Sequence, residues 1–356
     1  MTRPQSPDVI TTRHSLTLCR RFIRVKPVLH PHPVVCSLTM NSSSENSTAL
    51  EVHDLCKSYK GRPALRGVSF TVSRGEVFAI VGPNGSGKTT TVEILEGIRR
   101  HDGGTFRVLG GSPSDLRVRE SIGVQLQDGE VMQNLRPLEV LALFRSFYPR
   151  GLEPREALDR VSLDPPRRTL VRELSGGQRK RLLVALAIVN DPELVFLDEP
   201  TTGLDPAVRR DVWEIIRDLR GRGKTVVLTT HYLEEAERLS DRVAILDQGE
   251  IAALDSPAAL VGNSGLAGTI VFTFESEVSG LAERVAAFFP GAAVNGTGAR
   301  VSSVRIEDDL HRIFELGRSA GTSVRDLAVH APTLEDVYLS HTGRAWPGEE
   351  SAAEVR

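Results

Sequence analysis

The chain has 356 residues, 40% of them hydrophobic and 25% charged, with a formal net charge of −2, which is ordinary for a globular protein with one large domain and a smaller one. No apolar run reaches the roughly 18 residues of a membrane span. Cys19, Cys36 and Cys56 form neither a metal-ligand spacing nor an even disulfide set, so a reducing compartment is expected.

Residues 1–39 are unlike the rest. Arg3, Arg13, Arg20, Arg21, Arg24 and Lys26 face the single acid Asp8, a charge of +5, which leaves −7 for the remainder. Prolines interrupt VLHPHPVVC, so no secretory apolar core forms. Three readings stay open: a disordered basic tail, an upstream stretch translated ahead of a true start at Met40, or a targeting peptide. Residues 1–47 are set apart as an extension on this basis.

From Ala49 onward strands and helices alternate. ALEVHDL and GVSFTV are expected as strands with a turn at KGRPAL, and EVFAIVG as a buried third strand. A helix is expected from Gly87 through TTTVEILEGI, then a strand at IGVQLQ, helices at 137–147 and 154–161, and a further helix opened by Ser175. Leu182, Leu183, Leu186 and Val189 supply its apolar positions. PELVFLDEP is a short buried strand. Val208, Val212, Ile215, Ile216 and Leu219 share one helical face, ahead of the strand KTVVLTT, a helix from His231, and the strands DRVAIL and GEIAAL. This order predicts an α/β fold with a mostly parallel sheet covered on both sides. After a break at GNSGLAG, the segments TIVFTFE, 281–289, RVSSVRIE, 310–319 and SVRDLAVHA are expected as a small β-α-β-α-β set. Thr333 and Asp336 have capping-box spacing for a last helix, and RAWPGEESAAEVR is expected to fray.

The chemistry concentrates in a few motifs. GPNGSGKT, from Gly82, fills every fixed position of a phosphate loop. Its glycines let backbone amides wrap phosphates, Lys88 reaches the β- and γ-oxygens, and the Thr89 hydroxyl can ligate Mg²⁺. Asp198 ends a buried strand, where a carboxylate can hold Mg²⁺ through a water, and Glu199 beside it can polarise an attacking water. His231 follows a strand at the carboxyl edge of the sheet, Gln127 closes another strand-like stretch, and Tyr59 can stack on a flat ring. Each of these three, taken alone, is equally an ordinary cap or surface residue. Ser175, Gly176 and Gly177 add a second helix start whose bare N–H groups and positive dipole end suit an anion.

Phosphate loop, Gln127, LSGGQ, LDEP, TGLD (202–205) and His231 stand in the order and rough spacing of the ATP-binding cassette family, which the chain resembles from about residue 50 to residue 260. The resemblance implies a phosphate-loop NTPase cassette with an antiparallel β subdomain and a helical signature subdomain, assigned to residues 48–262. It implies ATP and Mg²⁺ as ligands, with Tyr59 stacking on adenine. Gly82, Pro83, Asn84, Gly85, Ser86, Gly87, Lys88, Thr89 and Thr90 would hold phosphates and Mg²⁺. Thr89, Gln127 and Asp198 would be the metal-side residues, Glu199 the general base, His231 the γ-phosphate switch and Asp205 a dimer contact. In this family two cassettes pair head to tail, so Ser175, Gly176, Gly177 and Gln178 would cap the nucleotide of the other chain.

Long coiled coils of the chromosome-maintenance type have no room here, and translation-factor cassettes usually come two to a chain. PTLEDVYLSHTGR (332–344), after a small α/β domain at 263–344 and before a tail at 345–356, resembles the end of daunorubicin/multidrug exporter ATPases. It implies a homodimer, or a heterodimer with a related cassette, docked on integral-membrane permease subunits at the cytoplasmic face of the membrane. The alternative is a soluble cassette with a regulatory role. The net −7 beyond residue 39 argues against nucleic acid as a partner.

Overall fold

The computed structural model describes residues 47–127 and 131–346; the expectations for residues 1–46 and for the stretch after 346 fall outside them. Among the described residues no helix is long and apolar enough to cross a membrane. One compact unit runs to His231 and takes in Gln248–Glu250, and a second comprises Tyr232–Asp247 and the chain from Ile251.

The first unit begins with β1 (Thr48–Tyr59) and β2 (Arg62–Ser73), an antiparallel pair. The turn between them is shorter than KGRPAL: Lys60 and Gly61 both have positive φ, the signature of a two-residue hairpin turn that matches strand twist. Pro63 sits on β2, an edge strand of the sheet β2-β1-β4, where a missing N–H is tolerated. Then come β3 (Val77–Val81), α1 (Lys88–Leu95), β4 (Gly103–Val108), α2 (Leu116–Ser121) and β5 (Ile122–Gln125). A helical stretch follows with α3 (Pro137–Arg145), α4 (Pro154–Arg160) and α5 (Gly176–Ile188), leading to β6 (Leu194–Asp198), α6 (Pro206–Gly221) and β7 (Thr225–Thr230).

Strands β5, β6, β7 and β3 lie side by side in that order, all parallel. Every residue of β3, β6 and β7 is buried, which explains their near-continuous apolar runs. Register pairs Asp198 with Thr229 and Val81 with Thr230. The carboxyl ends of β6, β7 and β3 are therefore level, and the phosphate loop, Glu199 and His231 all emerge from that one edge.

The second unit holds α7 (Leu233–Leu239), β8 (Arg242–Asp247), β9 (Glu250–Asp255), α8 (Pro257–Asn263), β10 (Gly268–Phe274), α9 (Leu281–Phe288), β11 (Ala293–Asn295), β12 (Gly298–Ser303), α10 (Ile306–Ser319), β13 (Val324–His330) and α11 (Leu334–Thr342). Its four-stranded sheet runs β11-β12-β10-β13, all antiparallel, so the expected β-α-β-α-β set is a split β-α-β-β-α-β unit. Strand β11, only three residues long, has too little alternation to stand out in sequence. Ile270, Phe272 and Phe274 of β10 pack against Leu281 and Val285 of α9 and Ile313 and Leu316 of α10.

RVSSVRIE does not stay a strand. Ser303 Oγ donates to Asp309 Oδ2 at 2.7 Å, and α10 starts at Ile306, four residues before the expected Leu310. Three acids, Glu307, Asp308 and Asp309, favour a helix start in that first turn. The capping box of α11 is present, with Thr333 and Asp336 bonded reciprocally. Leu334, Val337 and Tyr338 are buried, the Leu334 N–H donates to Glu237 Oε1 at 2.9 Å, and Tyr338 Oη donates to Asp247 Oδ1 at 3.4 Å. LEDVY is thus a clasp that fixes α11 to α7 and β8. Trp346, inside the stretch expected to fray, is buried edge-on against Tyr338.

Candidate active site

The phosphate loop links β3 to α1 through backbone that side chains rarely adopt: φ is +83° at Gly85 and +111° at Gly87, the residue that caps α1. No side chain caps this helix. The amides at its start face the loop with the positive end of the dipole behind them. Asn84 and Gly85 are exposed, while Gly82, Ser86 and Lys88 are buried. Lys88 folds back on its own loop, donating to the carbonyls of Gly82 at 2.7 Å and Pro83 at 3.2 Å. Burial pulls its ammonium below the usual lysine range, against the raising effect of Glu199 and Asp198.

The acids stand opposite. Asp198 accepts from the Thr229 hydroxyl and from Thr89 Oγ1 at 3.5 Å. Burial pushes its carboxyl up, with the Thr229 bond working the other way. Glu199 has a left-handed backbone, φ +47°, which turns its side chain back over the sheet edge. Its N–H donates to Thr229 Oγ1 at 3.0 Å, so one threonine ties together both acids. The carboxylate meets Lys88 Nζ at 3.7 Å, Gln127 Nε2 at 3.2 Å, Thr202 Oγ1 at 2.9 Å and His231 Nδ1 at 3.3 Å. With the imidazole of His231 as the largest influence, ahead of Thr202 and Lys88, its pKa falls to about 2 despite burial.

Tyr59 lies beside this cluster. Its hydroxyl is 3.4 Å from Thr90 Oγ1, the residue is 37% exposed, and the Arg99 guanidinium sits 5.2 Å from the ring centre. Lys57 and the Ser58 N–H bind Asp102 at 2.6 Å and 2.7 Å, which fixes the strand end that carries Tyr59.

Ser175 to Gln178 and Asp205 are arranged differently. Ser175 caps α5 by accepting the Gln178 N–H at 3.2 Å, and Gln178 Oε1 accepts the Ser175 N–H at 3.0 Å. Asp205 caps α6, accepting from Ala207 and Val208 at 3.0 Å each. A Cβ on Gly177 would overlap Val208 Cγ1, so this glycine lets α5 and α6 approach. A Cβ on Gly176 would meet nothing within 4 Å.

Four neighbours of the acids escaped the sequence reading as site residues. Thr229 and Thr202 are recoverable from the strand register and from TGLD. Gln125, buried at the end of β5, donates from Nε2 to the Asp198 carbonyl at 3.5 Å; its identity only gains meaning once β5 is placed beside β6. Glu96, one residue past α1, is 1% exposed, and burial raises its carboxyl well above the ordinary range, with Asp198 adding to the effect. No sequence signal marks a buried glutamate at a helix end.

The chain is similar in sequence and fold to known proteins. The sequence profile described as ABC transporter matches residues 65–202. The chain is 36% identical to daunorubicin resistance ATP-binding protein DrrA3 of Streptomyces coeruleorubidus, over 83% of this chain and 96% of that one. It is 36% identical to a Nod factor export ATP-binding protein I of Rhizobium sp. (strain N33), over 84% and 98%. Among solved structures, an ATP-binding subunit of an ABC transporter superposes with a TM-score of 0.56 at 28% identity, over 61% of this chain and 94% of that one. A dimeric ATP-binding cassette in a post-hydrolysis state, bound to ADP and phosphate, gives 0.53 at 26% identity, over 58% and 98%. The chain belongs to the ABC transporter family, as one of its ATP-binding, ATP-hydrolysing proteins.

Proposed function

We propose that this chain powers export of a drug-like or lipid-like compound through separate integral-membrane permease subunits, acting at the cytoplasmic face of the membrane as a homodimer or with a related cassette. Support for the export role comes from the named roles of the similar proteins, daunorubicin resistance and Nod factor export. Pairing is supported by Gly176, whose missing Cβ serves no packing within the chain. Gly176 is the first residue of α5, where the lack of a Cβ leaves the helix start open to a close approach by another molecule.

The observation that carries the chemistry is the Glu199 carboxylate, held at the mouth of the phosphate loop by Gln127, Thr202, His231 and Lys88. Lys88 donates to its own loop, and Glu199, with a pKa of about 2, is too acidic to accept a proton well. Phosphates entering the loop would draw Lys88 and His231 toward their oxygens. Both side chains would then leave Glu199, its basicity would rise, and it could take the proton of the attacking water. Ser175 and the amides at the start of α5 in the second chain would hold the γ-phosphate from the opposite side. Tyr59 would stack on the adenine.

The Thr89 hydroxyl and the Asp198 carboxylate, 3.5 Å apart, are the hard oxygen donors that Mg²⁺ takes, with the Gln127 amide oxygen as a further one. Among the described residues no cluster of three His, Cys, Asp or Glu forms a metal cage. Mg²⁺ binds through one or two carboxylates and draws its remaining ligands from phosphates and water. Bound there, Mg²⁺ would neutralise charge on the transferring phosphoryl group.

Glu199→Gln tests the assignment. Turnover should fall about 10²-fold or more while ATP binding persists, because the base is lost and the phosphate cradle stays. Steady-state hydrolysis within a few-fold of wild type would remove Glu199 from the role.

A further inference from the structure

We infer that Lys180 is a positioning residue for Glu199, tying the general base of this chain to this chain's own signature helix. The inference rests on the reading of Glu199 as the base. Lys180 stands in the second turn of α5, four residues after Gly176, and its Nζ donates to the Glu199 backbone carbonyl at 3.3 Å. Nothing about LSGGQ chemistry requires this bond: the residues that open the helix are Ser175 to Gln178, and Lys180 turns away from them toward the sheet edge.

Glu199 is held at every polar group it has. Its N–H goes to Thr229 on β7, its carboxylate to Gln127, Thr202, His231 and Lys88, and its carbonyl to Lys180. Four of these anchors are expected to change when nucleotide binds, because Lys88, His231, Gln127 and Glu199 itself all turn to phosphate, metal or water. The Thr229 and Lys180 bonds are made by the backbone of Glu199 and need not change. They hold a non-glycine residue at φ +47°, a conformation that costs energy and relaxes if the surroundings do not over-determine it. Thr229 fixes the amide from the sheet side. Lys180 fixes the carbonyl from α5, so of the two peptide planes that flank the Glu199 Cα and aim its carboxylate, one is held by the core and the other by the helix whose start would meet the partner's nucleotide.

The consequence is a physical link between the two nucleotides of a pair. A phosphate seated on the start of α5 fixes that helix, and Lys180 passes the constraint to the Glu199 that serves the other nucleotide.

Full-length wild type, Lys180→Met and Lys180→Arg are compared by steady-state hydrolysis and by equilibrium binding of ATP. Methionine keeps the length and packing of the stem and removes the donor; arginine keeps a donor. Lys180→Met should lower kcat about tenfold, since small misplacement of a reacting group is costly, while KM for ATP and the binding constant stay within about twofold. Lys180→Arg should recover kcat to within about threefold of wild type. The inference is overturned if Lys180→Met keeps wild-type kcat, if its loss appears in KM as much as in kcat, or if Lys180→Arg is as impaired as Lys180→Met. Glu199→Gln run alongside separates the two claims. If it keeps turnover, the base assignment fails; if it abolishes turnover while Lys180→Met has none of the expected effect, only the tie fails.

Discussion

Two helix starts in this chain suit anions, and they are built on opposite plans. The start of α1 is furnished from within: Gly87 in a left-handed conformation leaves it without a side-chain cap, and its own Lys88 and Thr89 meet Asp198, Glu199 and His231 at the aligned ends of β6 and β7. The start of α5 is closed by its own capping box between Ser175 and Gln178, exposes Ser175 and Gly176, and has no acid in its first turn. On the proposed reading the first site is a catalytic centre lacking a lid, and the second a lid lacking a catalytic centre. That complementarity is the physical argument for proposing that two chains face each other.

The largest effect that could break this contrast is Lys88→Ala. It removes an ammonium buried against both acids, so ATP affinity and turnover should fall about 10²-fold or more. Isothermal titration and a phosphate-release assay would read both, and near-normal binding would show that the α1 site does not rely on Lys88.

A sharper probe uses the two glycines of the α5 start. Gly177→Ala should destabilise the fold by about 1–3 kcal/mol, because its Cβ overlaps Val208. Gly176→Ala should leave the melting temperature unchanged or slightly raised, since its Cβ enters open space and alanine favours helix. It should nevertheless lower turnover, by intruding where the partner's phosphate would sit. Equal melting losses in the two variants, read by calorimetry, would show that both glycines serve internal packing.

The smallest effect concerns acid. Glu199 has a pKa of about 2, depressed from the usual carboxylate value, so its ionic contribution to stability is present above about pH 4.5 and is lost as pH falls toward 2. The stability gap between wild type and Glu199→Gln should therefore shrink across that window in urea titrations. A gap that stays constant from pH 5 to about pH 2.5 would mean that His231 and Thr202 do not hold the charge.

The sequence made the α1 site legible because its pieces are punctuated: GPNGSGKTT is a run of special backbone, and LVFLDEP a buried strand that ends abruptly in charge. What stayed hidden lies across strands rather than along them. Gln125 beside Asp198, and Lys180 beside the Glu199 carbonyl, are ordinary letters until β5, β6 and α5 are placed together. The misread turn at KGRPAL shows the same limit. Pro63 looked like a turn residue because nothing in a linear reading says that β2 is an edge strand, whereas Lys60 and Gly61 alone reverse the chain.

The central claim, that the start of α5 completes the site of another chain, is tested most directly by mixing two damaged chains. Lys88→Ala and Ser175→Arg homodimers each carry a lesion in both sites. A mixed pair has one site with both lesions and one with none. The account predicts that mixing restores ATP-dependent dimer formation and high-affinity ATP binding at about one site per mixed pair, measured by sedimentation with a labelled nucleotide. If nucleotide binds only to isolated monomers, and mixing restores no dimer-dependent binding, the start of α5 does not act in trans and the account is contradicted.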